Sequence, residues 1–280
     1  MDIADQMKEA ASNGSAMAAF NAPGFETMLA ISKAGSDLDR PVIVQTSSRL
    51  VKQHSPQVLF GWFELARRQT GARTYLHLDH CNDHELIRDC ISSGWDMVMF
   101  DGSHLSIDEN VEQCSHISEF AREFGVAVEG EVGAIGGEED GFEADANYAS
   151  DQEIERLAHE AGIDCIAVGF GNVHGDYSTK SNLRWDIYER SRDLGGLPLV
   201  LHGGSGLTDA EFDRAIKAGT AKINISTELK KAYAAVVADA EVRGRLSSSP
   251  SALHDALFER CYDVAFNYIA KFETGGDCAT

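Results

Sequence analysis

The chain has 280 residues, 43% of them hydrophobic, and a formal net charge of -21 at pH 7. This length and composition allow one large α/β domain, or two small ones, with a substantial buried core. The strong negative charge argues against nucleic acid or an anionic membrane as the main partner, because either would repel an acidic protein.

The beginning of the chain, Met1 to Ala11, is polar and charged, so it does not resemble a secretory signal. No segment has the unbroken apolar length that a membrane-spanning helix needs. The cysteines are scattered without a C-x-x-C pair, which predicts reduced thiols in a cytoplasmic protein. They are Cys81, Cys90, Cys114, Cys165, Cys261 and Cys278. We interpret Cys81, next to His80, as a packing residue because no second cysteine accompanies it.

Eight short apolar runs alternate with amphipathic segments along the chain. The predicted strands are Ala16–Phe20, Val42–Gln45, Tyr75–Leu78, Met97–Phe100, Val126–Val128, Cys165–Val168, Leu199–Leu201 and Lys222–Ile225. The predicted helices between them include Pro56–Gln69, Asp83–Ser93, Ile107–Phe124, Asp151–Ala161 and Asp209–Ala218. A glycine at Gly71, Gly94, Gly125, Gly162 or Gly219 ends each of these five helices.

Alternating strands and helices indicate a parallel sheet, and eight strands in this length predict a (β/α)8 TIM barrel. We expect a single barrel domain over residues 1–280, and a doubly wound open sheet is the alternative. Met1–Ser15 is predicted to add an N-terminal helix and Asp255–Phe272 a C-terminal helical extension. The segment Gly244–Ser251, with three consecutive serines and Pro250, predicts a mobile loop.

The third strand leads into the segment His77-Leu-Asp-His80. Leu76 and Leu78 alternate with His77 and Asp79, so the strand directs the polar pair to one face. His80 follows where the strand ends and is free to leave this alternation. A carboxylate beside imidazoles at a strand end suits a metal ligand next to a general acid or base.

The C-terminal ends of barrel strands build active sites, and these positions are polar throughout the chain. They are Asn21, Ser47, Asp79–His80, Asp101, Glu131, His174, His202–Ser205 and Asn224–Thr227. His80, His174 and His202 come from three separate strand ends, and three nitrogen ligands are typical of a catalytic zinc site.

Two further loops have possible binding roles. Gly203-Gly-Ser-Gly206 follows the seventh strand, and Asn224–Thr227 follows the eighth and opens a helix over Glu228–Ala240. Such loops form the phosphate site of many barrels, although Ser226 or Thr227 also suits an ordinary N-cap. The acidic segment Gly136–Gly141 is interpreted as a solvated loop, with a lid that carries a catalytic carboxylate as the alternative.

In this order, these segments resemble the zinc-dependent class II ketose-bisphosphate aldolases, which include the fructose- and tagatose-bisphosphate aldolases. The resemblance covers residues from about 16 to 240. The matching motifs are Ala19-Phe-Asn21, His77-Leu-Asp-His80, Asp101-Gly-Ser-His104, Glu129-Gly-Glu-Val-Gly133, Gly136-Gly-Glu-Glu-Asp140, His174-Gly-Asp-Tyr177, His202-Gly-Gly-Ser205 and Lys222-Ile-Asn-Ile-Ser-Thr227.

The resemblance implies a role for each matched residue. His80, His174 and His202 would bind Zn²⁺, with Asp101 and Glu131 as a second or alternative metal position. Asp79 would exchange the proton at the aldehyde oxygen, and Glu139 would move the C1 proton. Ser47 would contact the aldehyde product, and Asn21 the substrate. The dihydroxyacetone phosphate half would lie against Gly175, Gly203, Gly204, Ser205, Asn224, Ile225, Ser226 and Thr227.

The implied reaction is the reversible retro-aldol cleavage of a ketose phosphate, such as fructose or tagatose 1,6-bisphosphate. Its products are dihydroxyacetone phosphate and an aldehyde such as glyceraldehyde 3-phosphate. The resemblance further implies a cytoplasmic homodimer or homotetramer in carbohydrate metabolism, such as glycolysis, with a monovalent cation as an additional cofactor.

The chain departs from the family at two places. Ser226 stands where members often have an acidic residue or alanine, and Gly244–Leu253 lacks their Asp-Pro-Arg-Lys-like run. Arg49, Lys52 or Arg260 is therefore a candidate for binding a second phosphate.

Three other readings are open. A Schiff-base aldolase would use Lys222, which shares strand parity with Asn224. A metal-dependent hydrolase would usually have a His-x-His pair on an early strand. A non-catalytic sugar-phosphate-binding or accessory barrel would be expected to lack Asp79 or one of the histidines.

Overall fold

The structure, a computed structural model, describes residues 1–139, 142–144, 147–175, 183–246 and 249–273, with the backbone alone at 138, 139, 142–144 and 240. Eight parallel strands form a closed barrel, and two short strands form a separate antiparallel hairpin. The barrel strands are β1 (Met17–Asn21), β2 (Val42–Ser47), β3 (Thr74–Cys81), β4 (Met97–Phe100), β5 (Ala127–Val132), β8 (Cys165–Val168), β9 (Leu199–Leu201) and β10 (Thr220–Ile225), and the hairpin strands are β6 (Gly137–Glu139) and β7 (Phe142–Ala144).

Helices surround the barrel and extend it at both chain ends. They are α1 (Ile3–Ser12), α2 (Phe25–Asp37), α3 (Ser48–His54), α4 (Pro56–Thr70), α5 (His84–Ser92), α6 (Ile107–Phe124), α7 (Asp151–Glu160), α8 (Trp185–Gly195), α9 (Asp209–Lys217), α10 (Thr227–Ala238), α11 (Ala240–Arg245) and α12 (Ser251–Glu273). None of the described helices is long and apolar enough to cross a membrane.

The sheet closes because β1 pairs with β2 on one side and with β10 on the other. This closure confirms the predicted (β/α)8 barrel and excludes the doubly wound sheet. All eight predicted strands are present, and the structure extends β3 and β5 beyond their apolar runs. Ladder hydrogen bonds join backbone groups, so a strand continues into polar residues where a neighbour pairs with it.

The apolar core has two layers, as expected for a barrel covered by helices. The outer layer packs strand residues such as Ile223 and Ile225 against the helices. The inner layer fills the N-terminal end of the barrel with small and large apolar side chains, among them Ala19, Ala127 and Met97. Ile3 and Met7 of α1 pack against this inner layer, so the predicted N-terminal helix closes the end opposite the polar strand ends.

The predicted helices are confirmed with small shifts in their bounds, and the glycines at their ends have positive φ, for example Gly71 and Gly125. Two expectations after β10 were wrong. The predicted helix Glu228–Ala240 is interrupted at Asp239, whose carboxylate caps the new helix α11. The bounds of the predicted loop Gly244–Ser251 were also wrong: Gly244 and Arg245 belong to α11, Ser251 is the first residue of α12, and residues 247 and 248 lie outside the described part of the chain.

Candidate active site

The end of β3 is irregular, and this irregularity positions two site residues. Leu78 pairs with Val98 of β4, but the next partners are Cys81 and Phe100, so β3 has one extra residue. His80 has φ of 45°, in the left-handed region that non-glycine residues rarely adopt. In a regular strand Asp79 and His80 would point to opposite faces. A bulge redirects a side chain, and both residues are buried at the polar end of the barrel.

Three histidines from different parts of the chain converge beside this bulge. The ring centroids of His80 and His202 are 4.7 Å apart, and the ring of His174 lies 4.9 Å from His80 and 5.8 Å from His202. One ligand nitrogen of each histidine lies within 4.8 Å of the other two. The backbone N–H of His174 donates to Gly136 O, which connects its loop to the segment before the hairpin. The structure thus brings together the three predicted histidines.

Hydrogen bonds to carboxylates fix which nitrogens of the His80 and His202 rings face each other. His80 Nδ1 is 2.9 Å from Asp101 Oδ2, and His202 Nε2 is 2.7 Å from Glu129 Oε1. Ionised carboxylates only accept hydrogen bonds, so both of these ring nitrogens donate. The remaining nitrogens, His80 Nε2 and His202 Nδ1, are 3.0 Å apart. Two lone pairs at this distance repel unless a proton or a metal ion lies between them.

This arrangement fits a metal ion well. Histidine ligands of metals usually donate their other ring N–H to a carboxylate, as both rings do here. Two nitrogens bound to a tetrahedral zinc at about 2.1 Å lie roughly 3.4 Å apart, which is close to the observed spacing. His80, Asp101 and Glu131 form a second group with ligand atoms close enough to hold an ion.

The buried charges around the histidines also call for a cation. Asp79, Asp101, Glu129 and Glu131 are all buried, and among the described lysines and arginines Lys222 is the buried one that faces them. Burial and the Asp101 charge raise the pKa of Glu131 well above its usual value. Burial acts to lower the pKa of His80, but Asp79, Asp101 and Glu131 outweigh it and raise that pKa well above the usual value.

The fourth carboxylate, Glu129, connects Lys222 to His202. Lys222 Nζ is 2.7 Å from Glu129 Oε2, while Oε1 accepts the hydrogen bond from His202. Burial alone would raise the pKa of Glu129, but Lys222 and His202 outweigh it and hold that pKa well below its usual value. Glu129 therefore fixes the orientation of the His202 ring.

Asp79 is held by three side-chain amides at the centre of the site. Asn21 Nδ2 donates to Oδ2 at 2.8 Å, and Gln45 Nε2 and Asn224 Nδ2 reach Oδ1 at 2.8 and 3.1 Å. Asn224 Nδ2 is also 3.2 Å from His202 Nδ1. The carboxylate is thus fixed in orientation next to the histidine cluster.

Several buried polar atoms around Asp79 have no hydrogen-bond partner among the described residues. They include Asn21 Oδ1, Asn224 Oδ1 and Ser226 Oγ. Ser226 is in the N-cap position of α10, but its side chain makes no capping hydrogen bond. The first N–H groups of α10 therefore keep their capacity to bind an anion, and the simple N-cap reading of Ser226 was wrong.

The glycine-rich loop after β9 lies against the segment that carries His174. Gly203 has φ of 68°, and a Cβ atom there would lie 2.3 Å from Val173 O. A Cβ atom at Gly204 would lie 3.0 Å from Asn224 O. The backbone of this loop can approach its neighbours only because it lacks side chains, and Ser205 beside it is buried.

The other predicted site residues lie in several separate strands, helices and loops. Ser47 ends β2, and its hydroxyl accepts a bond from Leu50 N–H at 3.4 Å. Thr227 is the first residue of α10, and Gly175 follows His174. The side chain of Ile225 packs in the outer core, so only its backbone can line the site. The side chain of Glu139 lies outside the described part of the chain, as do Asp176 and Tyr177.

Two neighbours of the site have structural roles. His77 is fully buried, and Gln45 Nε2 lies 3.0 Å from its Nδ1. Burial, and secondarily Lys222, lower the pKa of His77 to about 3. Cys81 is also buried, and burial raises the pKa of its thiol to about 11, as expected for a packing residue. The five cysteines among the described residues are free and buried, and Cys278 lies outside them.

Sequence reasoning did not assign functions to Gln45 and Glu129. Each precedes a predicted site residue by two positions on the same strand, Ser47 on β2 and Glu131 on β5. Residues two apart on a strand face the same side. A polar side chain at such a position inside a barrel strand was the signal that could have identified both.

A (β/α)8 barrel with a histidine and carboxylate cluster at its C-terminal strand ends is the architecture of an enzyme. Residues 1–276 match the family described as "Fructose-bisphosphate aldolase class-II". The chain belongs to this family, and it is an aldolase, which is an aldehyde-lyase.

Known relatives share most of their length with this chain. A 6-phospho-5-dehydro-2-deoxy-D-gluconate aldolase of Bacillus subtilis is 38% identical over 227 residues, which are 78% of this chain and 76% of the relative. A fructose-bisphosphate aldolase of Streptococcus pneumoniae is 36% identical over 239 residues, which are 81% of this chain and 79% of the relative. The crystal structure of a putative fructose-1,6-biphosphate aldolase from Coccidioides immitis aligns with a TM-score of 0.88 and 26% identity, over 98% of this chain and 96% of that one.

Proposed function

We propose that this aldolase is zinc-dependent and cleaves a ketose phosphate to dihydroxyacetone phosphate and an aldehyde. The observation that carries the proposal is the pair of imidazole nitrogens that face each other 3.0 Å apart among buried carboxylates. A buried cluster with this charge is stable when a divalent cation occupies it.

His80, His174 and His202 would hold the zinc ion, and Asp101 and Glu131 would form a second or alternative metal position with His80. A set of three nitrogen ligands with an open fourth position is the usual arrangement at catalytic zinc. When bound, the metal supplies a Lewis acid that polarises a substrate oxygen. Asp101 and Glu129 orient two of the three rings through hydrogen bonds to their outer nitrogens.

Asp79 is proposed to move the proton of the substrate hydroxyl that becomes the aldehyde oxygen. A carboxylate fixed by Asn21, Gln45 and Asn224 does not need to reorient during proton transfer. The unpartnered oxygens of Asn21 and Asn224 could accept hydrogen bonds from other substrate hydroxyls. Glu139 is the candidate for the C1 proton, on the basis of the family resemblance.

The phosphate of the dihydroxyacetone phosphate half is proposed to bind between the loops after β9 and β10. Gly203, Gly204 and Ser205 would offer backbone N–H groups and a hydroxyl, and Gly175 would lie beside them. The N–H groups at the start of α10, which the Ser226 side chain does not cap, and the Ser226 hydroxyl, which has no partner among the described residues, support this location. Ser47 would contact the aldehyde half from the end of β2.

The homodimer or homotetramer, the cytoplasmic location and the monovalent cation are also proposals, and the family resemblance is what supports them. The five free cysteines among the described residues are consistent with a reducing compartment.

A panel of ketose mono- and bisphosphates, assayed for release of dihydroxyacetone phosphate with and without a chelator, tests the function. We expect at least one member to be cleaved, and the chelator to abolish this activity until zinc is restored. Cleavage that the chelator leaves intact would contradict the zinc mechanism. Ligand binding without cleavage of any member would indicate a non-catalytic barrel.

Two substitutions separate proton transfer from metal binding. Asp79→Ala is expected to lower kcat by about 100- to 10,000-fold, the usual contribution of a general acid or base, while zinc stays bound. His202→Ala should lose both activity and metal. Metal analysis of each purified variant beside the assay checks this difference, and loss of zinc from Asp79→Ala would count against the assigned roles.

A further inference from the structure

A pocket lies beside two neighbours of Asp79, and the three histidines are not among its lining residues. Its volume is about 190 Å³, and its lining comes from the loop after β1, the end of β2, α3 and α10. Asn21 and Ser47 line it, and both adjoin Asp79, the first by a hydrogen bond and the second by strand pairing. The volume is several times the roughly 30 Å³ that one water molecule occupies in the liquid. A small substituent of the substrate would fit.

Arg49, the second residue of α3, lines this pocket with an exposed side chain. It forms no ion pair or hydrogen bond with the part of the chain that the structure describes. By contrast, Lys52 on the same helix does not line the pocket and pairs with Asp83 at 3.1 Å. No described carboxylate neutralises the Arg49 guanidinium, although the chain has a net charge of -21. Its charge is available for a ligand.

We propose that Arg49 determines specificity by binding an anionic group at the far end of the aldehyde half. The substrate would then be a ketose 1-phosphate with a second anionic group at the other end of its carbon chain. A guanidinium donates two parallel hydrogen bonds to a phosphate, sulfonate or carboxylate. The pocket also contains Gln53 and Lys230, which add polar and positive groups around the same space. This inference rests on the proposed aldolase function.

The location of the pocket agrees with the positions proposed for the two halves of the substrate. Asp79 handles the proton on the oxygen of the departing aldehyde, so the rest of that aldehyde extends from Asp79. The loops after β9 and β10 are assigned to the other half of the substrate. Because the protein is strongly acidic, a second anion needs a local cation to offset the repulsion. Arg49 supplies that cation on the aldehyde side.

The test runs the reaction in the direction of condensation, with dihydroxyacetone phosphate at saturation. KM and kcat are measured for glyceraldehyde and for glyceraldehyde 3-phosphate, with the wild type, Arg49→Met, Arg49→Lys and Lys52→Met. We expect Arg49→Met to raise KM for the phosphorylated aldehyde by about 30- to 100-fold, the usual loss of a charged hydrogen bond. The effect on the unphosphorylated aldehyde should be far smaller, and Arg49→Lys should lie between.

Lys52→Met is the matched control because it removes the same charge from the same helix, outside the pocket. An equal effect of Arg49→Met on both aldehydes, or an equal effect of the two methionine variants, would overturn the proposal. Aldehydes that end in a carboxylate or a sulfonate, assayed in the same way, identify which anion depends most on Arg49.

A binding measurement separates this inference from the proposed function. Glycerol 3-phosphate is titrated calorimetrically into the zinc-loaded protein saturated with dihydroxyacetone phosphate. If no aldehyde is condensed, the proposed function fails, yet a second binding event that Arg49→Met weakens would still support the anion site. Absence of that event in the wild type would overturn it.

Discussion

At the scale of single residues, the contact between Lys222 and Glu129 bears directly on the chemistry of the site. A Schiff-base lysine must present a free amine to the substrate. Lys222 Nζ instead lies 2.7 Å from Glu129 Oε2, and both side chains are fully buried. The lysine therefore neutralises the carboxylate that orients His202, and we assign it a positioning role.

Lys222→Met tests this role. The substitution leaves the buried carboxylate of Glu129 without its partner, which typically costs about 3–5 kcal/mol of the free energy of unfolding. The double variant with Glu129→Gln removes both charges and should recover most of that loss. Urea denaturation measures both, and wild-type stability of the single variant would contradict the assignment. Borohydride added with dihydroxyacetone phosphate should not inactivate the wild type.

At the scale of elements, the loop between β9 and α9 depends on glycine for two separate reasons. Gly203 has a left-handed φ of 68°, and a Cβ atom there would also collide with Val173 O. Gly196 at the end of α8 has nearly the same φ, 67°, but open space around it. A comparison of the two glycines therefore separates the free-energy cost of the left-handed backbone from the cost of the collision with Val173.

Gly196→Ala is expected to lower the free energy of unfolding by about 1–2 kcal/mol, the cost of placing an L-alanine in the left-handed backbone conformation. Gly203→Ala should cost clearly more, because the Val173 segment must also move. That segment continues into His174, so the variant should also bind zinc more weakly. Urea unfolding and zinc titration of both variants provide the measurements, and equal behaviour of the two would show that the contact with Val173 is unimportant.

At the scale of the whole molecule, the end of the barrel opposite the candidate site contains partly buried carboxylates that make stability depend on pH. The N-terminal strand ends are held by carboxylates that directly precede strands. Asp96 accepts the Leu76 N–H at 2.8 Å, and Asp164 accepts the Val128 N–H at the same distance. Burial raises the pKa of both, to about 6 for Asp96. These groups link the stability of the barrel to pH.

Because the folded pKa of Asp96 exceeds the ordinary value of 3.8, the folded state binds the proton more tightly than the unfolded state. Its contribution to stability is therefore greatest below about pH 4 and falls as pH rises to about 6, by up to roughly 3 kcal/mol. Asp96→Asn keeps an acceptor for Leu76 and cannot ionise. We expect the variant to gain stability relative to the wild type across this pH range. Denaturant midpoints at several pH values measure the difference, and a constant difference would refute the expectation.

The sequence alone was enough to predict the barrel and the convergence of the three histidines, because both predictions depend on local patterns. Apolar runs, terminal glycines and polar strand ends each occur within a few neighbouring residues. The bulge at His80 depends on the register between β3 and β4, which no local pattern encodes. The contact of Glu129 with Lys222 joins residues 93 positions apart, and the pocket at Arg49 requires the packing of α3 near α10. This strand register, this contact and this pocket form only when the barrel closes.

The left-handed backbone conformation of His80 also means that selection for stability and selection for activity would favour different residues at this position. A non-glycine residue in this conformation typically costs about 1–3 kcal/mol, and the surrounding barrel must supply that energy. Glycine or asparagine at this position would relieve the strain while removing a residue that we propose binds the metal. A library of variants screened for heat resistance alone would therefore tend to discard His80, and only a screen that also demands turnover would retain it.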